Sequence, residues 1–131
     1  MHTTNYRNTF IAIAPDSDAT TGIVPPKPES IAGRQYARLA AAPYTMTSDD
    51  LLFAIHAEKT GVPDTAEARD AFFAKPRACL RASPLPKQFG WGVHQDDEGK
   101  VAIHAIDSLD YLRLTDDERI AVKPAMRSKR G

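Results

Sequence analysis

The alternation of apolar and polar positions predicts several strands along the chain. Residues 89–95 and 100–107 alternate on either side of Asp-Asp-Glu-Gly at 96–99, a turn sequence whose glycine suits a bulged hairpin. Residues 9–14 are apolar on both faces, which is typical of an interior strand or of a strand covered by helices. Residues 77–83 also alternate, and we expect a further strand there.

The register of the hairpin follows if residues 97–99 form its loop. Counting outward from that loop, Trp91 pairs with Ala105. His94 and His104 then lie together on one face, as diagonal neighbours roughly 7–8 Å apart. A slip of one residue on one strand would separate them. The opposite face is apolar and consists of Trp91, Val93, Val101, Ile103 and Ala105.

Capping residues and prolines predict two main helices. Ser30 is a suitable N-cap for a helix over residues 31–42, which Pro43 ends. A second helix is predicted over residues 64–75, because Asp-Thr-Ala-Glu at its start resembles a capping box. A shorter helix is predicted over residues 109–114 behind a serine cap.

Residues 48–58 fit two structures. Acidic residues ahead of leucines suit the start of a helix, whereas the alternation of Leu51, Phe53 and Ile55 suits a strand. We favour the strand, because Gly-Val-Pro at 61–63 then makes a natural connection to the second main helix.

Together these elements predict an α+β fold, with an antiparallel sheet of about five strands and two main helices packed on one face. A chain of 131 residues fits one modest core, so we expect a single domain over residues 1–131. The residues from about 123 onward are basic, and we expect them to form a loose tail.

Composition narrows the class of protein. The 17 Lys and Arg residues balance 17 Asp and Glu residues, which argues against a protein whose whole surface binds nucleic acid or anionic membrane. The single cysteine excludes an internal disulfide. No apolar run approaches the roughly 20 residues of a membrane span, and the first residues lack the pattern of a secretory signal. We therefore expect a cytoplasmic protein with no membrane partner.

Phe-Gly-Trp-Gly-x-His at 89–94 is the most specific of several short motifs along the chain. Together these motifs resemble those of a small bacterial family classed as a domain of unknown function. The resemblance spans nearly the whole chain and implies a bacterial protein that stands alone, but it carries no activity or catalytic residue with it. The matching segments are residues 2–6, 9–11, 48–50, 79–85, 89–94, 99–100 and 125–130.

A polar face of the sheet is the strongest candidate site. If strand 77–83 neighbours the hairpin, its outward side chains share a face with the two histidines. Glycines on either side of Trp91 would leave room for a ligand, and arginine with two imidazoles suits an anionic group such as phosphate or carboxylate. The alternative is that these residues only line the solvent-exposed face of an antiparallel sheet and bind no ligand. The candidate ligand-binding residues are Cys79, Arg81, Lys87, Trp91, His94 and His104.

The favoured function is therefore a binding module for a small anionic molecule, with two alternatives. One is a thiol- or metal-dependent enzyme, in which a histidine activates Cys79 or the histidines hold an ion. No diagnostic ligand spacing is present, so we assign neither a metal nor a cofactor. The other alternative is a nucleic-acid accessory protein that uses the basic tail. Acidic residues at 107–118 partly cancel the positive charge of the tail, so nucleic acid is not the expected partner. The sequence leaves open whether the chain forms a homo-oligomer.

Overall fold

The computed structural model describes residues 2–128, which form an α+β fold around a four-stranded mixed sheet. The strand order is β3-β2-β1-β4, with β2 antiparallel to both neighbours and β1 parallel to β4. The α+β class was predicted, but the five-stranded antiparallel sheet is wrong. The strands are β1 (Thr9–Ala12), β2 (Trp91–Gln95), β3 (Val101–Ala105) and β4 (Ala121–Pro124).

Five α-helices lie in the described part of the chain. They are α1 (Ile31–Ala41), α2 (Ser48–Thr60), α3 (Ala66–Phe73), α4 (Pro84–Gln88) and α5 (Leu109–Asp116). Side-chain caps explain where three of them begin: Ser30, Thr65 and Ser108 accept hydrogen bonds from the first turns of α1, α3 and α5. The two serine caps were predicted, whereas the capping box predicted from residue 64 is wrong by one residue, because Thr65 is the N-cap of α3. None of these helices is both long and apolar enough to cross a lipid bilayer.

The hairpin has the predicted register. Trp91 pairs with Ala105, Gly92 with His104, and His94 with Ala102. The turn closes as its sequence indicates, because Gly99 has a φ of 78°. The two histidines therefore share a face of the sheet, as predicted.

Residues 48–60 form helix α2, so the predicted strand over 48–58 is wrong. Thr47 and Asp50 cap its start reciprocally, each side chain accepting a hydrogen bond from the backbone of the other. Leu51 and Ile55 pack in the main core, whereas Phe53 packs in a second cluster with phenylalanines of α3. Because α2 lies between two apolar clusters, its buried positions do not follow the single stripe of an amphipathic helix.

Residues 77–83 do not form the predicted strand. Leu80–Ala82 is a single turn of 3₁₀ helix, and Ser83 caps helix α4 with Pro84 in its first turn. Leu80 and Leu85 are both buried in the main core, where they cover one face of the sheet.

The prediction of a loose tail from about residue 123 is also wrong for residues 123–126, which pair with other parts of the chain. Lys123 belongs to β4, which pairs with β1. Ala125 is buried, and its backbone N–H donates to Ala12. Met126 then donates to the carbonyl of Arg81. The last three basic-tail positions, 129–131, lie outside the described residues.

The sheet is covered on both faces, whereas the sequence predicted helices on one face only. Ile11 and Val93 point into the main core beneath α1, α2 and α4. Phe10 and Gly92 point the other way, where the ring of Tyr111 from α5 packs edge-on against Phe10. The histidine pair shares this second face, because strand residues alternate.

Candidate functional site

The two histidines of the hairpin are joined by a tyrosine. The phenolic Oη of Tyr44 lies 2.8 Å from Nδ1 of His94 and 3.0 Å from Nε2 of His104. Tyr44 follows α1, and its backbone N–H donates to Val101 at the edge of the sheet. Its φ of 58° is unusual for a residue other than glycine, so the backbone at Tyr44 adopts this conformation at some cost in strain.

The surroundings of both imidazoles favour their neutral form. Burial lowers the pKa of His94 and of His104, and the neighbouring His104 lowers that of His94 further. Nearby carboxylates oppose these shifts without reversing them. Asp110 is the carboxylate beside His104, with 3.9 Å between its Oδ2 and the imidazole Nδ1. Burial also raises the pKa of Tyr44, so its phenol is protonated at neutral pH.

The depression beside His94 is acidic. It has a volume of about 370 Å³, and Asp96, Asp97 and Asp117 outnumber the one cation in its lining, Arg119. The guanidinium of Arg119 is itself held by both carboxylate oxygens of Asp117, at 2.9 and 3.0 Å, which lowers the pKa of Asp117 to about 2. This charge distribution disfavours an anion at the histidine face.

The sequence predicted that Cys79 and Arg81 share a face with the two histidines. In the structure they do not lie on that face. The Cys79 sulfur accepts a hydrogen bond from Tyr6 Oη at 3.9 Å, and Arg81 Nε donates to the carbonyl of Pro124 at 2.8 Å. Leu80 between them packs into the core with Val93, on the opposite face of β2 from His94. A thiol activated by either histidine is therefore not assembled in this fold.

Lys87 and Trp91 are also separate from the histidines. Lys87 lines a shallow depression together with Asp16 and Asp18. Trp91 lies on the core face of β2, where its indole Nε1 donates to the carbonyl of Ile23 at 2.8 Å. Of the six candidate residues, the structure brings together only His94 and His104.

A cavity that the sequence did not reveal lies among α1, α2 and the segment after α3. It has a volume of about 360 Å³, and its wall is largely apolar, with three basic side chains and no carboxylate. A smaller cavity of about 150 Å³ adjoins it and shares four of its lining residues. The larger cavity is lined by Ile31, Gln35, Leu52, Ile55, His56, Lys59, Thr60, Phe72, Arg77 and Ala78.

The ring of Phe72 contacts two of the three basic side chains in this cavity. The guanidinium carbon of Arg77 lies 3.9 Å from the ring centre of Phe72, and its Nε donates to the carbonyl of the same residue at 2.9 Å. The imidazole of His56 lies 4.5 Å from that ring, between ring centres. Within residues 2–128, neither Lys59 nor Arg77 forms an ion pair with a carboxylate.

One signal in the sequence would have indicated this cavity. Leu52, Ile55, His56 and Lys59 have the spacing i, i+3, i+4, i+7 and therefore share one side of a helix. Reading residues 48–58 as a strand distributes them over both faces, and this concealed the pattern.

The amino-terminal motif is tied to the start of α2. The backbone N–H and the hydroxyl of Thr4 both donate to Asp49 Oδ1 at 2.7 Å, and the hydroxyl of Thr3 donates to Oδ2 at 2.6 Å. Asn5 Oδ1 accepts from the backbone N–H of Asp49 at 2.9 Å. Two of the motifs noted in the sequence, at 2–6 and 48–50, thus hold each other in place.

Comparison with known proteins identifies the family. Residues 1–131 match the family described as "Family of unknown function (DUF6157)". The chain belongs to this family. The family resemblance drawn from the sequence is thereby confirmed, and DUF6157 carries no assigned activity. No curated protein and no solved structure matches the chain.

Proposed function

We propose that this DUF6157 protein is a binding module for a small anionic molecule with an apolar body. The observation that carries the proposal is the cavity among α1, α2 and residues 77–78, whose largely apolar wall includes three basic side chains and no carboxylate. The predicted class of ligand is retained, but the site moves from the histidine face to this cavity.

The size of the cavity suits a small molecule. Its volume of about 360 Å³ lies within the roughly 300–1,000 Å³ that is typical of ligand pockets. Burial of the apolar body against Ile31, Leu52 and Ile55 supplies most of the affinity, at about 25 cal/mol per Å² removed from water.

The charge of the cavity selects the headgroup. Lys59 and Arg77 are free to pair with a carboxylate or sulfonate, and Arg77 is already oriented by its contacts with Phe72. An arginine held in this way loses little conformational freedom when it binds, so its contribution to affinity is larger than that of a mobile surface arginine.

Three probes with eight carbon atoms each test this proposal. Octanoate, octanol and octylammonium are titrated into the full chain while the backbone amides are followed by NMR. We expect octanoate to shift the amides of residues that line the cavity, and to bind more tightly than octanol and octylammonium. Equal binding of all three, or shifts confined to the histidine face, would overturn the proposal.

Matched variants separate the cavity from general surface charge. Lys59→Gln and Arg77→Gln should each weaken octanoate binding by up to about fivefold, the upper end of the range for a partly exposed charge pair. Lys75→Gln and Arg81→Gln remove the same charges outside the cavity lining and should leave the affinity unchanged. A loss of affinity that is equal in all four variants would mean that only net charge matters.

A further inference from the structure

Two imidazole nitrogens converge on a single oxygen at the face of the sheet opposite the cavity. Nδ1 of His94 and Nε2 of His104 both lie within 3.0 Å of Tyr44 Oη. We propose that His94, His104 and Tyr44 are the ligands of a divalent transition-metal ion such as zinc. This site is separate from the proposed anion cavity and does not depend on it.

Two of the three separations among the donor atoms, those from Tyr44 Oη to each imidazole nitrogen, are close to those of a metal site. Tetrahedral zinc with bonds of about 2.0–2.1 Å holds its ligand atoms roughly 3.3–3.4 Å apart. The observed separations of 2.8 and 3.0 Å therefore need to open by only a few tenths of an ångström. The ring of Tyr44 can make this movement, because the residue is exposed at the edge of the sheet.

The hydrogen bonds among Tyr44, His94 and His104 are also compatible with a metal ion in place of the protons that the three side chains share. The phenol has one hydrogen, so it donates to one imidazole only, and the other imidazole must present an N–H to it. A metal ion at this point would accept lone pairs from both nitrogens and from the oxygen. Asp110 Oδ2 lies 3.9 Å from Nδ1 of His104, too far for a hydrogen bond, so its negative charge lies near the ring nitrogen that is not the proposed donor atom.

The charge around the three ligands favours a cation. Asp96 and Asp117 face His94, and Asp110 faces His104. Arg119 is the cation in the adjacent depression, and it is already paired with Asp117. The acidic surroundings that disfavour an anion at this face thus assist a metal ion, and water would complete the coordination.

The chain contains its own controls for a test with zinc alone. It has 4 histidines, two in the proposed site and two elsewhere, at positions 2 and 56. Zinc is titrated into the full metal-free chain by calorimetry near neutral pH. We expect one ion per chain, and a loss of affinity of about tenfold or more in His94→Gln and His104→Gln. His2→Gln and His56→Gln should bind zinc as the unaltered chain does.

Two further measurements keep the test decisive if a histidine variant misfolds. In the unaltered chain, zinc should shift the imidazole resonances of His94 and His104 and leave those of the other two histidines in place. Tyr44→Phe, which keeps the size of the side chain and removes the proposed oxygen ligand, should weaken binding by about tenfold. The proposal is wrong if zinc does not bind at micromolar concentrations, if the control histidines account for the binding, or if Tyr44→Phe binds with full affinity.

Discussion

The ring of Phe10 occupies the space that a side chain on Gly92 would need. A Cβ at position 92 would lie 2.2 Å from Cζ of Phe10 and 2.7 Å from the ring of Tyr111. The neighbouring Gly90 has a φ of 76°, and a Cβ there would lie 2.1 Å from the carbonyl oxygen of Thr21. The glycines of the Phe-Gly-Trp-Gly motif therefore make room for the protein's own rings and backbone, and the prediction that they make room for a ligand is wrong.

We expect Gly92→Ala to lower the free energy of unfolding by about 3 kcal/mol or more, because two packed rings must move to admit one methyl group. Urea denaturation measures the change. Gly61→Ala is the control for an added methyl group without a steric contact, since Gly61 has open space around it; its positive φ, which Gly92 does not share, adds a backbone cost of its own. That control should cost only about 1 kcal/mol. A loss at position 92 no larger than the loss at position 61 would contradict the dependence on the contacts with Phe10 and Tyr111.

Asp49 is expected to hold the amino-terminal segment in place. Asp49→Ala removes the acceptor for Thr3 and Thr4 and should destabilise the chain by about 1.5–3 kcal/mol, the range for hydrogen bonds to a charged group. Hydrogen exchange at the amide of Thr4 should become faster at the same time. Asp70→Ala, at an exposed position of α3, should change stability by less than about 0.5 kcal/mol. Unchanged exchange at Thr4 would contradict this role of Asp49.

The parts of the fold that the sequence predicted are those that depend on local signals. The turn at 96–99 determined the register of the hairpin, and through it the pairing of the two histidines. The serine caps likewise marked where α1 and α5 begin. In each case the decisive groups lie within a few residues of one another along the chain, so nothing distant had to be known.

The parts that were wrong depend on which distant elements pack together. Helix α2 is apolar on more than one side because it lies between two clusters, and this resembled strand alternation. Strand β4 is mostly exposed at the edge of the sheet and pairs with β1 more than 100 positions earlier, so no alternation marked it. Tyr44 reaches the histidines only because residues 44–47 follow the edge of β3, which no spacing in the sequence shows.

Asp50 should make the stability of the chain depend on pH in the acid range. Burial alone would raise the pKa of Asp50, but hydrogen bonds from Arg69 and Thr47 outweigh burial and hold the pKa below its ordinary value. The ionised form therefore stabilises the fold at a pH above the unfolded-state pKa, and this stabilisation is lost as the pH falls through the folded-state pKa.

Asp50→Asn tests this dependence. At neutral pH we expect the variant to be less stable by about 0.5–2 kcal/mol, the range for a lost helix-cap interaction. The difference between the two proteins should shrink as the pH falls through the carboxyl range, which urea denaturation at a series of pH values measures. A difference that stays constant, or grows in acid, would contradict the assigned role of the carboxylate.

The buried hydrogen bond between Ser83 and Gln35 should matter more to stability when only one of its partners is removed than when both are. The Ser83 hydroxyl donates to Gln35 Oε1 and also accepts from the first turn of α4. Ser83→Ala leaves a buried acceptor without a donor and removes a helix cap, so we expect a loss of about 2–3 kcal/mol. Thr45→Ala, which removes an exposed hydroxyl, should cost less than about 0.5 kcal/mol.

A double-mutant cycle separates the hydrogen bond from the cap. Gln35→Leu removes the polar partner, so adding Ser83→Ala to it leaves no acceptor unpaired and should cost only what the cap contributes, about 1 kcal/mol. The sum of the stability losses in the two single variants should therefore exceed the loss in the double variant by about 1–2 kcal/mol. Strictly additive losses would mean that the two side chains do not depend on each other. In that case Ser83 would stabilise the fold only through the start of α4, and the wall that Gln35 contributes to the cavity would be held in place by packing alone.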